Sequence, residues 1–351
     1  MNIKPARGNP RNSEGAFINL LNGEILFVYT KFVGGKNDDS KAVLAGRLSK
    51  DCGKSWETEK VLFANEGRKN IMSVSLLRLP DNRLALFYLR KNGLHDCRPR
   101  LRFSSDEGKS WSRPKLVVSA PGYFVLNNDR VIQLRNGRII LPCAYHRLKG
   151  EEKEILENFD QRGLILFYYS DDYGKTWEES PDWWALPHAN RYGLQEPGLI
   201  ELRDGRLFSW SRTDMGCQFG HYSFDMGETW SLPQPTQFRS PLSACSIKRI
   251  PETGDLLAVW NDTTPGQGIA PPTKASWGRT PLTAAISKDE GINWSRPKYL
   301  EKNPRLGYCY PAIHFSDKAT VLIAYNYGGK KSGSVLTHLK VRRISISSLY
   351  S

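Results

Sequence analysis

A chain of 351 residues that is 39% hydrophobic and 25% charged is neither a disordered polymer nor, without an apolar run of bilayer length, a helical membrane protein. Its formal net charge of +14 points to an anionic partner: nucleic acid, an acidic lipid surface or an acidic sugar. No run of five like charges gathers that excess into a tail, and no stacking motif interleaves a basic groove, which argues against nucleic acid. The six cysteines (52, 97, 143, 217, 245, 309) stand singly without a CxxC pair, against a disulfide framework or a zinc site. Residues 1–8 carry no apolar signal segment, so a cytoplasmic location is expected, or a periplasmic or secreted one if the chain has been trimmed.

Two short signals alternate along the chain. The first is a tight turn between apolar strands, opening at Leu21, Leu79, Leu134, Leu202 and Ile250, with a sixth copy from Phe315. The second follows each of the first five and reads S-x-D-x-G-x-[STN]-W, with its Asp at 51, 106, 172, 225 and 289. Asp bonds its own backbone and Gly two residues on admits positive φ, so each copy predicts a hairpin turn with a Trp just beyond it. The further acidic ligands of a calcium loop are missing. A period of roughly sixty residues is that of a four-stranded blade with its loops. The expectation is one all-β domain of six blades, roughly 11–60, 70–118, 127–185, 194–236, 243–300 and 308–347, with a short charged insertion at 151–160.

In a four-stranded meander the turns joining strands one and two and strands three and four leave by the same face. Segments entering the first strand, and loops from the second strand to the third, leave by the other, and loops on a rigid scaffold carry chemistry. That second face collects Arg11, Glu14, Asp38 and Asp39 in the 31–41 loop, Asn70 and Arg90, then Asn127, Asn128, Asp129 and His146, then Gln195, Glu196 and Arg212, and finally Arg279, Tyr308 and Tyr310. Several arginines meeting at one mouth suit a planar carboxylate, which guanidinium groups grip in pairs. Of Tyr308 and Tyr310, one is expected to pack and the other to face the mouth. His95, His146 and His221 lack metal spacing and are read as structural or surface residues.

Five copies of the turn and the order of these residues resemble the sialidase (neuraminidase) superfamily, six-bladed β-propellers whose repeated turns are called Asp-boxes. The resemblance runs from about Arg11 to Arg343. It implies an exo-acting glycoside hydrolase that releases a terminal acidic sugar, sialic acid first, with no cofactor or metal. By the same resemblance Tyr310 is the nucleophile, Glu196 its partner, and Arg11, Arg212 and Arg279 the triad that binds the substrate carboxylate. The acid/base is Asp38 or Asp39; spacing leaves both open. Glu14, Arg90, Asn128, Asp129, Gln195 and Tyr308 are candidates for lining the substrate site. The run Arg11-Asn-Ser-Glu14 departs from the family's Arg-Ile-Pro, and Glu14 adds an acid the family pattern does not use. Two other functions stay open: a hydrolase or lyase for a uronic or another nonulosonic acid, and a non-catalytic glycan-binding propeller.

Overall fold

A computed structural model describes residues 1–149, 156–265 and 270–350. The first half of the insertion expected at 151–160 lies outside the described residues; Leu156–Asn158 is a single 3-10 turn leading into the strand Phe159–Ser170. The chain is almost wholly β, with one four-residue α-helix, Ser347–Tyr350, and no helix among the described residues long and apolar enough to cross a membrane.

The strands form antiparallel meanders arranged as in a propeller. The first sheet runs Arg11–Asn19, Ile25–Phe32, Ala42–Ser49 and Lys60–Phe63 in sequence order. Two later sheets repeat it, from Gln195–Glu201 to Gln234–Arg239 and from Ser246–Arg249 to Lys298–Glu301. Between them lies one sheet of nine strands rather than two of four. Its halves are joined where the short strand Gly122–Val125 pairs in parallel with Asp96–Ser104, matching Gly122 to Asp96 and Tyr123 to Cys97. The last sheet holds Leu306–Asp317, Thr320–Gly329 and Ser334–Ser345, and its fourth strand comes from the other end of the chain: Asn2 and Ile3 pair with Lys340 and Leu339. The internal repeats gave no sign of that closure.

Register confirms which end of each sheet is which. In the first sheet Arg11 sits opposite Phe32 at one end, while Asn19, Ile25 and Ser49, the start of a repeated turn, meet at the other. The five turns fold alike. In each, the leading Ser hydroxyl bonds the Asp and accepts from the Gly N–H at 2.8 Å, as Ser49 does from Gly53 and Ser104 from Gly108. The Asp in turn accepts from the backbone and side chain four residues on. The residue before each Gly and the Gly itself both have φ in the left-handed region, for example Cys52 at 55° and Gly53 at 81°.

The apolar cores lie between sheets. One gathers Leu26, Val28 and Leu44 of the first sheet with Ile71, Leu84 and Tyr88 of the next, and another brings Phe27 and Tyr29 against Leu322, Ala324 and Leu339 of the last. The glycine of a turn is what lets neighbours close up. A methyl group on Gly53 would stand 2.6 Å from the Leu322 side chain, and one on Gly174 would stand 2.8 Å from Leu101. Replacing Gly53 with Ala therefore combines left-handed strain with overpacking at the seam between first and last sheets, and is expected to lower unfolding free energy by about 1–3 kcal/mol in a urea titration. Hydrogen bonds from the Ser55 and Ser110 hydroxyls and N–H groups hold the Asp51 and Asp106 carboxyls down to about 2. Their stabilisation is complete above the unfolded value near 4 and lost as pH falls towards 2, so the melting temperature is expected to drop over that interval.

Candidate active site

The mouth is built on broken strands. The innermost strand of a sheet should run regularly, yet four of them skip register at the same level: between Ser13 and Ala16, Met72 and Ser75, Gln195 and Gly198, and Cys309 and Ala312. Within each skip one residue adopts positive φ: Glu14 at 50°, Ser73 at 59°, Glu196 at 49° and Tyr310 at 57°. A bulge re-aims a side chain, and non-glycine residues held in the left-handed region cluster at functional sites. Glu14, Ser73, Glu196 and Tyr310 all line one cavity of about 190 Å³, together with Asp38, Asn127, His146, Gln195 and Arg212.

At its centre the buried Tyr310 hydroxyl donates to Glu196 Oε1 at 3.2 Å. Arg212 Nη1 lies 3.1 Å from Glu196 Oε2, and Gln195 Oε1 accepts from Arg212 Nε at 3.0 Å and from Nη2 at 2.5 Å. Burial raises the Tyr310 phenol well above its ordinary value, and the Glu196 charge raises it further against Arg212 and Arg279. The phenol is therefore neutral at physiological pH and needs a base to act.

Behind the facing wall Arg11, 1% exposed, rests 4.2 Å over the Phe32 ring. Its Nη1 donates to Asp38 Oδ1 at 2.5 Å and its Nη2 lies 3.7 Å from Glu14 Oε2. Desolvation works against ionisation of Asp38, but the charge and hydrogen bond of Arg11, with Lys91 and Arg212 beyond, outweigh it and hold the carboxyl below its usual value. The loop carrying Asp38 is lashed from below. The buried Asn70 amide donates to Asp38 O at 2.7 Å and to Ser40 O at 2.9 Å, and Lys36 donates to Ser332 O at 2.8 Å across to the last sheet.

Several expected residues lie elsewhere. Tyr308 is 2% exposed in the core beside Tyr325, while Tyr310 turns to the mouth. Alternation would put residues two apart on the same face; the left-handed bulge at Tyr310 is what separates them. Asp39 pairs with Lys91 and does not line the cavity. Arg90 does not line the cavity, and its strand neighbour Lys91, 3% exposed, reaches the Asp38 loop instead. Asn128 is a lashing, donating to Gly15 O at 2.9 Å. Asp129 accepts from Lys248 at 2.5 Å and from the Ile313 N–H at 3.0 Å, and lines a second cavity of about 320 Å³. That larger cavity contains no other candidate residue, and its central arginine, Arg130, is spent on Ser246 Oγ and Cys245 O. Of the three arginines only Arg212 is on the wall of the mouth; Arg11 stands behind Glu14 and Asp38, and the Arg279 guanidinium stands 5.7 Å from the Tyr310 ring.

Sequence reasoning overlooked Tyr123, placed on the wall by the parallel pairing at Gly122, together with Phe159, Gln161 and Tyr192. It also read His146 as a structural or surface residue; the ring lines the cavity, donates from Nδ1 to Asp160 O at 3.1 Å, and is pushed down to about 4 by burial, with Arg212 adding to the shift. Arg11 Nε, Arg279 Nη1, Glu14 Oε2 and Asn127 Nδ2 are buried without a hydrogen bond, an excess of unmet polar atoms of the kind a polar ligand satisfies. Among the described residues no cluster of His, Cys, Asp and Glu is placed to hold a metal ion.

The profile of the BNR repeat-like domain matches residues 32–323. The chain belongs to that family. A sialidase of Bacteroides fragilis is 26% identical over 244 residues, 66% of this chain and 40% of that protein. An anhydrosialidase of Macrobdella decora is 26% identical over 259 residues, 66% of this chain and 30% of its own. The chain thus spans less than half the length of either relative. Among solved structures, an intramolecular trans-sialidase of Ruminococcus gnavus in complex with oseltamivir carboxylate superposes with a TM-score of 0.73 at 15% identity, covering 99% of this chain and 97% of that one. At that identity the match speaks for the fold alone.

Removing the Asn70 amide takes away two hydrogen bonds to the Asp38 loop. Asn70→Ala is expected to cost about 1–3 kcal/mol of stability and to speed amide exchange at residues 37–41, read by thermal melting and hydrogen-exchange mass spectrometry.

Proposed function

We infer that the protein is an exo-acting glycoside hydrolase releasing a terminal acidic sugar, with a sialoside as the first substrate to try. The observation that carries this reading is the neutral Tyr310 hydroxyl hydrogen-bonded to Glu196 beside Arg212 in a small polar cavity. An anomeric carbon that already bears a carboxylate repels an anionic nucleophile, whereas a phenol that loses its proton only as it attacks avoids the repulsion; a Tyr nucleophile is the exception among glycosidases for this reason. In the first step the Tyr310 oxygen bonds the anomeric carbon, Glu196 takes the phenolic proton, and Asp38 protonates the departing oxygen. In the second, Asp38 takes a proton from water, the water oxygen displaces Tyr310, and the phenol recovers its proton from Glu196.

Asp38 is preferred to Asp39 because it lines the cavity while Asp39 is held by Lys91. Arg11 keeps it ionised at rest; as the negative charge of an arriving acidic sugar raises its affinity for a proton, it takes one from solvent and enters the first step as the acid. In this reading Arg212 contacts the substrate, and Arg11 and Arg279 supply positive potential from behind the wall. The nine-stranded sheet is taken as two blades fused at Gly122 and Tyr123, which gives six blades and five Asp-box turns.

A second reading, hydrolysis or lysis of a uronic or another nonulosonic acid, draws on the presence of Glu14 on the wall where a triad arginine would stand. A panel of sialosides and uronides separates the two. Release of sialic acid, with a loss of at least about 100-fold in kcat for Tyr310→Phe and for Asp38→Asn, is expected. Release from uronides alone supports the second reading, and release from none, with glycan binding retained, supports a binding propeller. Full activity of Tyr310→Phe on a sialoside rules out the nucleophile assignment.

A further inference from the structure

Glu14 has no counterpart in the catalytic scheme, yet it is as carefully placed as the residues that do. Its backbone is held in the left-handed region at the bulge of the first inner strand, its N–H donates to Asn326 Oδ1 at 3.3 Å, and only 5% of the residue is exposed. It stands on the cavity wall between Arg11 and the space a sugar would enter. Arg11 itself is committed: Nη1 donates to Asp38 and to Lys36 O at 3.2 Å, and Nη2 donates to Ser13 Oγ at 3.2 Å. The contact of Glu14 Oε2 with Arg11, at 3.7 Å, is too long for a hydrogen bond, and that oxygen is buried without a partner.

We propose that Glu14, rather than Arg11, meets the carboxylate of an acidic sugar at this end of the mouth, as a neutral carboxylic acid that donates its own proton to the substrate. The inference rests on the hydrolase reading above for its substrate class. A carboxylic acid facing a carboxylate gains a short, charge-assisted hydrogen bond, whereas two carboxylates at that distance repel. The surroundings favour the protonated form. Burial raises the Glu14 carboxyl to about 7; Arg11 and Ser13 on its own strand oppose this, while Asp38 from the 31–41 loop and Glu196 from the strand Gln195–Glu201 add to it, and Tyr310 faces it from Leu306–Asp317 as a neutral phenol.

The sign of the pH dependence follows. Below about 7 Glu14 holds its proton and accepts an acidic ligand; above it Glu14 is an anion that repels one. Titration calorimetry with free N-acetylneuraminic acid and with glucuronic acid, on the wild type and Glu14→Gln between pH 5.5 and 8.5, tests it. For whichever sugar binds, wild-type affinity is expected to fall about tenfold per pH unit above 7, and Glu14→Gln, which keeps a donor but cannot ionise, to show a flat profile and to bind more tightly than the wild type at pH 8.5. The methyl ester of the same sugar, lacking the charge, should lose the pH dependence on the wild type itself, a control that does not rely on the variant folding. A flat wild-type profile, or a fall that persists in Glu14→Gln or with the ester, overturns the role of Glu14 and leaves the hydrolase reading standing. Absence of binding by every acidic sugar at every pH overturns both.

Discussion

The site depends on the strands of the mouth failing to be regular at one level. A strand that kept its alternation past Ser13, Gln195 or Cys309 would turn Glu14, Glu196 and Tyr310 into the seams between sheets, where there is room only for apolar side chains. The left-handed turnover costs backbone energy at every position where it occurs, and the surrounding structure repays it with polar lashings: Thr30 Oγ1 accepts from the Ser73 N–H and Asn326 Oδ1 from the Glu14 N–H. The apolar cores between sheets hold the ring, and the bulges decide what it presents at its centre.

That centre holds little of the molecule's excess charge, even with Glu14 as a neutral acid. Glu14, Asp38 and Glu196 face Arg11, Arg212 and Arg279, so the net charge of +14 is carried elsewhere on the molecule and acts at longer range, raising the local concentration of anionic ligands rather than gripping them. Within the mouth each carboxylate is set by its neighbours. Asp38, bonded directly to Arg11, is ionised before substrate arrives; Glu14, buried, too far from the same arginine for a hydrogen bond and facing two other acids, is raised to about 7. Two carboxyl groups flanking one guanidinium are thereby driven apart in acidity, because burial prevails at Glu14 and the direct bond to Arg11 prevails at Asp38.

Much of this was legible in the residues. The Ser, Asp and Gly of the repeated turns need fixed chemistry at fixed spacing, so their pattern survives in the sequence and carries the all-β architecture and the face on which Arg212, Glu196, Asp38 and Tyr310 gather. What stayed hidden is what alternation cannot express. A bulge adds a residue without a compositional mark when the residue is Glu or Tyr rather than Gly, so strand alternation gives no account of the separation of Tyr308 from Tyr310, and Lys91 was passed over for Arg90. Asn128 and Asp129 looked like turn or subsite residues because nothing local says that their partners, Gly15 and Lys248, lie in other sheets. The parallel pairing at Gly122 that brings Tyr123 to the wall is likewise a contact between repeats, invisible to a reading made one repeat at a time.

The strand Asn2–Ile3 gives the fold a temporal order. Every other strand of a sheet is supplied by its own stretch of chain, so local meanders can form as their residues become available, but the last sheet gains its outer edge only from the opposite end of the polypeptide. Pairing across nearly the whole length is the slowest contact to establish and the one with the least local support. The clasp between residues 2–3 and 339–340 thus closes a very long loop of chain for two paired residues, which makes it a weak point at which the last sheet can open locally.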